Sequence, residues 1–125
     1  MKLILLFSHK LTDLQKIDAK ESLDINDFIY LPSNLQKIWS QIPANIYDIS
    51  PYLNQIKEYV QANTNQGDYI LIQGDFGATY KMIEYAKEIN IIPIYSTNSR
   101  ESIEEEIDGK VVKKSIFIHN IFRRY

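Results

Sequence analysis

Apolar positions along this chain follow two alternating rhythms: short unbroken runs and longer stretches with helical spacing. Leu3-Ile4-Leu5-Leu6-Phe7 is unbroken, the pattern of a parallel strand buried on both faces. It ends at Ser8-His9-Lys10. Thr12 stands where a helix cap belongs, ahead of Leu14, Ile17 and Leu23, which fall roughly on one helical side. Phe28-Ile29-Tyr30-Leu31 is a second strand, stopped by Pro32. A short helix is expected over Leu35 to Trp39, ended by Ile42-Pro43, and a longer one from Pro51 to about Asn63, with Ser50 as its cap. Leu53, Ile56, Tyr59 and Val60 form the apolar face of that longer helix.

After the polar loop Asn63 to Gly67 comes a third strand, Tyr69 to Gln73, and then a helix to about Ile89 carried by Tyr80, Ile83, Tyr85 and Ala86. Ile91 to Tyr95 is a fourth strand, and its internal Pro93 places it at a strand entry or an edge. Asp108-Gly109 then signals a two-residue hairpin. Counting outward, Glu106 faces Val111 and Glu104 faces Lys113, setting opposite charges across the ladder. The rival for this stretch is a helix from Ser99 to Ile107, because Ile103 and Ile107 are also four apart. Strands alternating with helices, closed by a hairpin, predict one α/β domain over residues 1–125: a three-layer α/β/α sandwich with a mostly parallel sheet and a C-terminal antiparallel hairpin.

Composition excludes several classes. A chain of 125 residues can bury its own core, and with no cysteine it has neither disulfides nor thiolate metal sites, which suits a reducing cytoplasm. The apolar run starting at Leu3 is too short for a membrane span or a secretory segment. A net charge of −2 argues against affinity for long nucleic acids but not against a small anion held in a local pocket.

In open α/β sheets, ligands bind beyond the carboxyl ends of the strands. That rule selects Ser8, His9 and Lys10 after the first strand, Gly74, Asp75, Phe76, Gly77, Ala78 and Thr79 after the third, and Ser96, Thr97, Asn98 and Arg100 after the fourth. A glycine turn entering a helix offers backbone N–H groups and a positive dipole end to a phosphate. The loop lacks the spacing of a dinucleotide fingerprint or a P-loop, and Asp75 would repel an anion. The plainer account makes Asp75 a helix cap and the glycines turn formers. Thr79 would then donate either to a ligand or back to its own helix. His9 and His119 can each titrate near neutral pH, or serve as hydrogen-bonded structural residues. No ligand spacing joins them, so no metal site is expected. Glu104-Glu105-Glu106 reads as a solvated charge run.

Gln-Gly-Asp-Phe-Gly-Ala-Thr at 73–79, Tyr-Ser-Thr-Asn-Ser-Arg-Glu at 95–101, Asp-Gly-Lys-Val-Val-Lys at 108–113 and Phe-Ile-His-Asn-Ile-Phe-Arg-Arg-Tyr at 117–125 together resemble the small CRISPR-associated proteins of the Csx type. Phe-Ser-His at 7–9 fits the same group, so the resemblance spans nearly the whole chain. It implies a fold related to the CRISPR-associated Rossmann (CARF) domain and a ring nuclease that degrades a cyclic oligoadenylate messenger of type III systems, with the tetramer as the expected ring. Such cleavage needs neither metal nor cofactor: a ribose 2′-hydroxyl attacks its own phosphate and leaves a 2′,3′-cyclic phosphate. On this reading Gly77, Ala78 and Thr79 cradle a phosphate, Arg100 neutralises charge, and His9 or His119 moves the proton. A ring with twofold character implies a homodimer. The alternatives are a module that binds the messenger without cutting it, and a regulator acting through protein contacts.

Overall fold

The structure, a computed structural model, describes residues 1–125. Its elements in chain order are β1 (Lys2–Leu6), α1 (Asp13–Leu23), β2 (Asp27–Tyr30), α2 (Ser33–Ser40), α3 (Ser50–Asn63), β3 (Tyr69–Ile72), α4 (Phe76–Glu88), β4 (Ile92–Ile107) and β5 (Lys110–Arg124). The five strands form one sheet in the order β2-β1-β3-β4-β5. Every pairing is parallel except β4 with β5. The expected α/β fold with its antiparallel ending is therefore present.

The central strands explain the unbroken apolar runs. Both faces of β1 and β3 are covered, so Leu3 to Leu6 and Tyr69 to Ile72 are all buried. One face packs against α2, α3 and α4 through a cluster of 15 residues that includes Ile4, Leu6, Trp39, Leu53, Ile56, Ile70 and Met82. The other face meets α1 through only 8, including Leu3, Leu5, Ala19, Leu71 and Ile94. The thinner α1 layer is where the sheet leaves room for a cleft.

Local signals place most boundaries. Thr12 and Gln15 form a reciprocal capping box at the start of α1. Helix α3 begins one residue earlier than a Ser50 cap requires, with Ile49 at the cap, Ser50 inside the helix and the Asp48 carboxylate accepting from the Ser50 N–H at 3.0 Å. The inner face of α1 differs from expectation: Leu14 and Ile17 are exposed, while Gln15 and Ala19 are buried. Gln15 tolerates burial because its side chain accepts from the Thr12 N–H at 2.9 Å and donates to Ser96 Oγ at 3.3 Å.

The largest difference is β4. It does not stop at Tyr95 but continues to Ile107, because β5 supplies a hydrogen-bonding partner along its whole length. Ser96 to Arg100 therefore lie in a strand rather than a loop, and a register shift between Ser96 and Asn98 absorbs the irregularity. Pro93 enters near the start of the strand, where its carbonyl accepts from the Tyr125 N–H at 3.1 Å. The hairpin turns at Asp108 (φ 53°) and Gly109 (φ 75°), two successive positive φ values as a type I′ turn needs. Its register pairs Glu106 with Val111 and Glu104 with Lys113, as counting from the turn requires.

Beyond Thr97 the β4–β5 ribbon leaves the helices behind. Asn98 to Ile107 and Lys110 to Phe117 are all exposed. The whole chain exposes 8097 Å², whereas a compact protein of 14.7 kDa exposes roughly 6,900 Å². The ribbon, exposed along both strands, contributes to that surplus.

Candidate functional site

A cleft of about 420 Å³ opens beyond the carboxyl ends of β1 and β3 and beside the bulge of β4, between the start of α1 and the base of the ribbon. Because β2 and β3 lie on opposite sides of β1, the β1–β3 junction is the switch point where such sheets bind ligands. Phe7, His9 and Lys10 come from the end of β1, Gln73 from the end of β3, and Ser96 and Asn98 from the bulge of β4. Phe117 and His119 reach in from β5, and Thr12, Leu14 and Gln15 from the start of α1.

A chain of hydrogen bonds holds the inner wall. The His119 side chain is only 4% exposed, and both ring nitrogens are engaged: Nε2 with Asp18 Oδ2 at 2.7 Å and Nδ1 with Ser96 Oγ at 2.6 Å. The ring also packs on Phe122, centroids 4.5 Å apart. Asp18 Oδ1 accepts from the Ser22 hydroxyl at 2.6 Å. Partial burial pushes the Asp18 carboxyl up, but the hydrogen bonds from Ser22 and His119, with the charge of His119, outweigh it and hold the pKa below the ordinary aspartate value. Ser96 is 4% exposed; its N–H donates to Gln73 Oε1 at 2.9 Å, and Asn98 Oδ1 lies 3.4 Å from its hydroxyl.

Of the residues singled out by sequence, His9, Lys10, Ser96, Asn98 and His119 share this cleft. Ser8 lies in the neighbouring depression beside α2, where its hydroxyl accepts from Ser40 Oγ at 3.3 Å. Thr97 Oγ1 donates to the Ile121 carbonyl and accepts from the Ile121 N–H, both at 3.1 Å, and so ties the bulge together. Arg100 lies outside the cleft on the ribbon, donating to Ser115 Oγ from two nitrogens and lying over Phe117 at 5.8 Å.

The glycine loop lies apart from the cleft, at the start of α4 on the other face of the sheet. Several of its polar groups are spent on the fold. Asp75 caps α4, its Oδ2 accepting from the Ala78 N–H at 3.0 Å, and the Thr79 N–H donates to the Asp75 carbonyl at 2.8 Å. The plainer account of Asp75 as a cap describes this geometry. Gly74 lies against Trp39, where an added Cβ would come within 3.0 Å of the indole. Ala78 is fully buried and Phe76 is 95% exposed. Thr79 Oγ1 is buried with no hydrogen-bond partner, so it does not bond back to its helix.

Asp18, Gln15, Gln73 and Phe117 join the site without having been marked in the sequence. Gln15 carried only a capping signal, and Asp18 is 101 positions from His119, so no local pattern links them. No three His, Cys, Asp or Glu side chains converge as a metal-holding group. No helix is long and apolar enough to cross a membrane.

The profile of the uncharacterized protein MJ1673 family matches residues 1–123. The chain belongs to this family. It is 51% identical over 124 residues to "Uncharacterized protein MJ1673" of Methanocaldococcus jannaschii, covering 99% of this chain and 96% of that protein. No solved structure matches. Neither family nor relative carries an activity or a CRISPR association in its name, so the MJ1673 assignment fixes kinship and leaves function to the site.

Proposed function

We propose that this member of the MJ1673 family is a ring nuclease of the CARF-related Csx type, binding and cleaving a cyclic oligoadenylate, with cyclic tetra-adenylate as the candidate ring. One observation carries the reading: the cleft sets a hydrogen-bonded Asp18–His119–Ser96 chain beside Lys10 and His9 at the switch point of the sheet. Phe7 and Phe117 line the same space and offer flat apolar faces for adenine. Lys10 takes over the charge-neutralising role first given to Arg100, since it lines the cleft and Arg100 does not.

The chemistry asks for geometry more than for a strong nucleophile. Holding a ribose 2′-hydroxyl in line with the departing 5′ oxygen makes the attack intramolecular and needs no metal. Cationic and N–H donors then stabilise the charge that gathers on the phosphorane oxygens. The product is a linear oligoadenylate ending in a 2′,3′-cyclic phosphate, and its release would switch off signalling in the cytoplasm.

This reading includes a homodimer, and the ribbon offers its surface. Strand alternation puts Ile103, Ile107, Val112, Ile116 and Ile118 on one face. A two-stranded ribbon is marginal in water without cover. The chain's surplus of roughly 1,200 Å² over a compact fold is enough for the ~800 Å² that each partner buries in a standard interface.

The decisive experiment incubates the protein with cyclic tetra-adenylate in excess EDTA and resolves the products. Linear 2′,3′-cyclic-phosphate products support the reading, and loss of activity in EDTA would overturn the metal-free route. Tight binding of an intact ring would establish the alternative, a sensor or sequestering module. That alternative is favoured by one feature, the engagement of both His119 nitrogens within the protein.

A further inference from the structure

We infer that Asp18, His119 and Ser96 form one proton relay whose working end is the Ser96 hydroxyl, so that Ser96 rather than His119 receives the proton of the attacking 2′-hydroxyl. The inference rests on the ring-cleavage reading and assigns its base. An imidazole with both ring nitrogens engaged inside the protein has no free nitrogen to offer a substrate. Any proton it takes must pass through one of its two partners. Asp18 faces Ser22 on α1, whereas Ser96 lines the cleft.

The direction of the relay follows from charge. Asp18, with its pKa lowered, is a carboxylate at neutral pH and can only accept, so His119 Nε2 carries the hydrogen. With its single hydrogen on Nε2, the ring presents the Nδ1 lone pair to the Ser96 hydroxyl at 2.6 Å. Gln15 Nε2 donates to the Ser96 oxygen from 3.3 Å, and the Ser96 N–H is pinned by Gln73 Oε1 at 2.9 Å. A second acceptor, Asn98 Oδ1, lies 3.4 Å from the hydroxyl, but the shorter bond goes to His119. The bulge at Ser96 thus serves to aim one hydroxyl, a common use of bulges near active sites. Asp18 is the only carboxylate bonded to the ring; Lys10 and His9 are the other titratable groups lining the cleft.

The step balances. The 2′-hydroxyl proton moves to Ser96 Oγ as the Ser96 proton moves to His119 Nδ1, leaving an imidazolium against the Asp18 carboxylate. The 2′ oxygen bonds to phosphorus, and the bond to the 5′ oxygen breaks with its electron pair on that oxygen. Water in the open cleft protonates the 5′ oxygen, and the resulting hydroxide recovers the relay proton through Ser96. Ser96 is then the catalytic residue, with His119 and Asp18 as positioning residues behind it.

Two measurements on the full chain test this. Nitrogen-15 NMR of the imidazoles, without substrate, should show His119 with its hydrogen on Nε2, and Asp18→Asn should weaken or reverse that preference. A wild-type His119 bearing its hydrogen on Nδ1 would overturn the relay whatever the substrate proves to be. With cyclic tetra-adenylate, Ser96→Ala should lower kcat on the order of 100-fold or more, as loss of a general base does, with KM little changed. Asp18→Asn should also lower kcat and displace the pH–rate profile. Circular dichroism confirms that each variant folds. An active wild type with a fully active Ser96→Ala variant sinks the relay and leaves ring cleavage standing. A wild type that cleaves no ring removes the ring-cleavage reading and the proposed step together.

Discussion

Replacing Gly74 by alanine tests whether the loop after β3 is chiefly a packing device. A Cβ built there meets Trp39 Cε2, Cζ2 and Nε1, each at 3.0 Å, where ordinary contact begins near 3.4 Å. Trp39 cannot swing aside cheaply: it is 2% exposed and its Nε1 donates to the Gln73 carbonyl at 3.1 Å. Inserting a methyl group into a packed core costs about 1–3 kcal/mol. At this chain length that corresponds to a fall in Tm on the order of 5–15 °C. The control is Gly77→Ala in the first turn of α4, where the nearest atoms to a new Cβ are 3.5 Å away. There, lower chain entropy in the unfolded state should raise stability by about 0.5 kcal/mol. Urea unfolding with calorimetry measures both. A Gly74→Ala protein as stable as wild type would refute the packing argument, and the loop's glycine would need another reason.

Three further outcomes follow from the same physics. Asp18 has its pKa lowered in the fold, so its stabilisation is complete above the unfolded value near 4 and is lost as pH falls through the folded value. Asp18→Asn should therefore flatten the acid limb of stability below about pH 4 in urea titrations; an unchanged limb would mean that Asp18 is not held by His119 and Ser22. Thr79→Val removes a buried hydroxyl without a partner and keeps its shape, so it should stabilise by about 1 kcal/mol. A loss of stability on thermal melting would show that the hydroxyl has a partner. Light scattering at micromolar protein should give twice the 14.7 kDa chain mass, reduced to one chain by Ile116→Asp but not by Val111→Asp on the opposite ribbon face. A wild-type monomer would remove the dimer.

Much of the fold was legible because it is written in short-range rules. The unbroken runs of β1 and β3, the Thr12 and Asp75 caps and the Asp108-Gly109 turn each act within a few residues. Once the turn was placed, the pairing of Glu104 with Lys113 followed by counting. Where local pattern met tertiary context, it failed. Leu14 and Ile17 had the spacing of an inner face, yet α1 buries Gln15 because its amide finds hydrogen-bond partners. The polar stretch after Tyr95 looked like a loop, yet it remains strand because β5 satisfies its backbone.

The site divides along the same line. Sequence alone determined that polar groups follow the apolar runs of β1, β3 and the first part of β4, because the change from apolar to polar positions is a local feature. Only the tertiary structure decided which of them meet. It turned the Gly74 to Thr79 loop toward Trp39 and the α4 cap, and kept Ser96 and His119 in the cleft with Lys10. It also brought Asp18 across 101 positions to His119. A helix face and the far strand of a hairpin meet only when the helix packs on the sheet face toward which that strand's side chain points. No residue near Asp18 records that meeting.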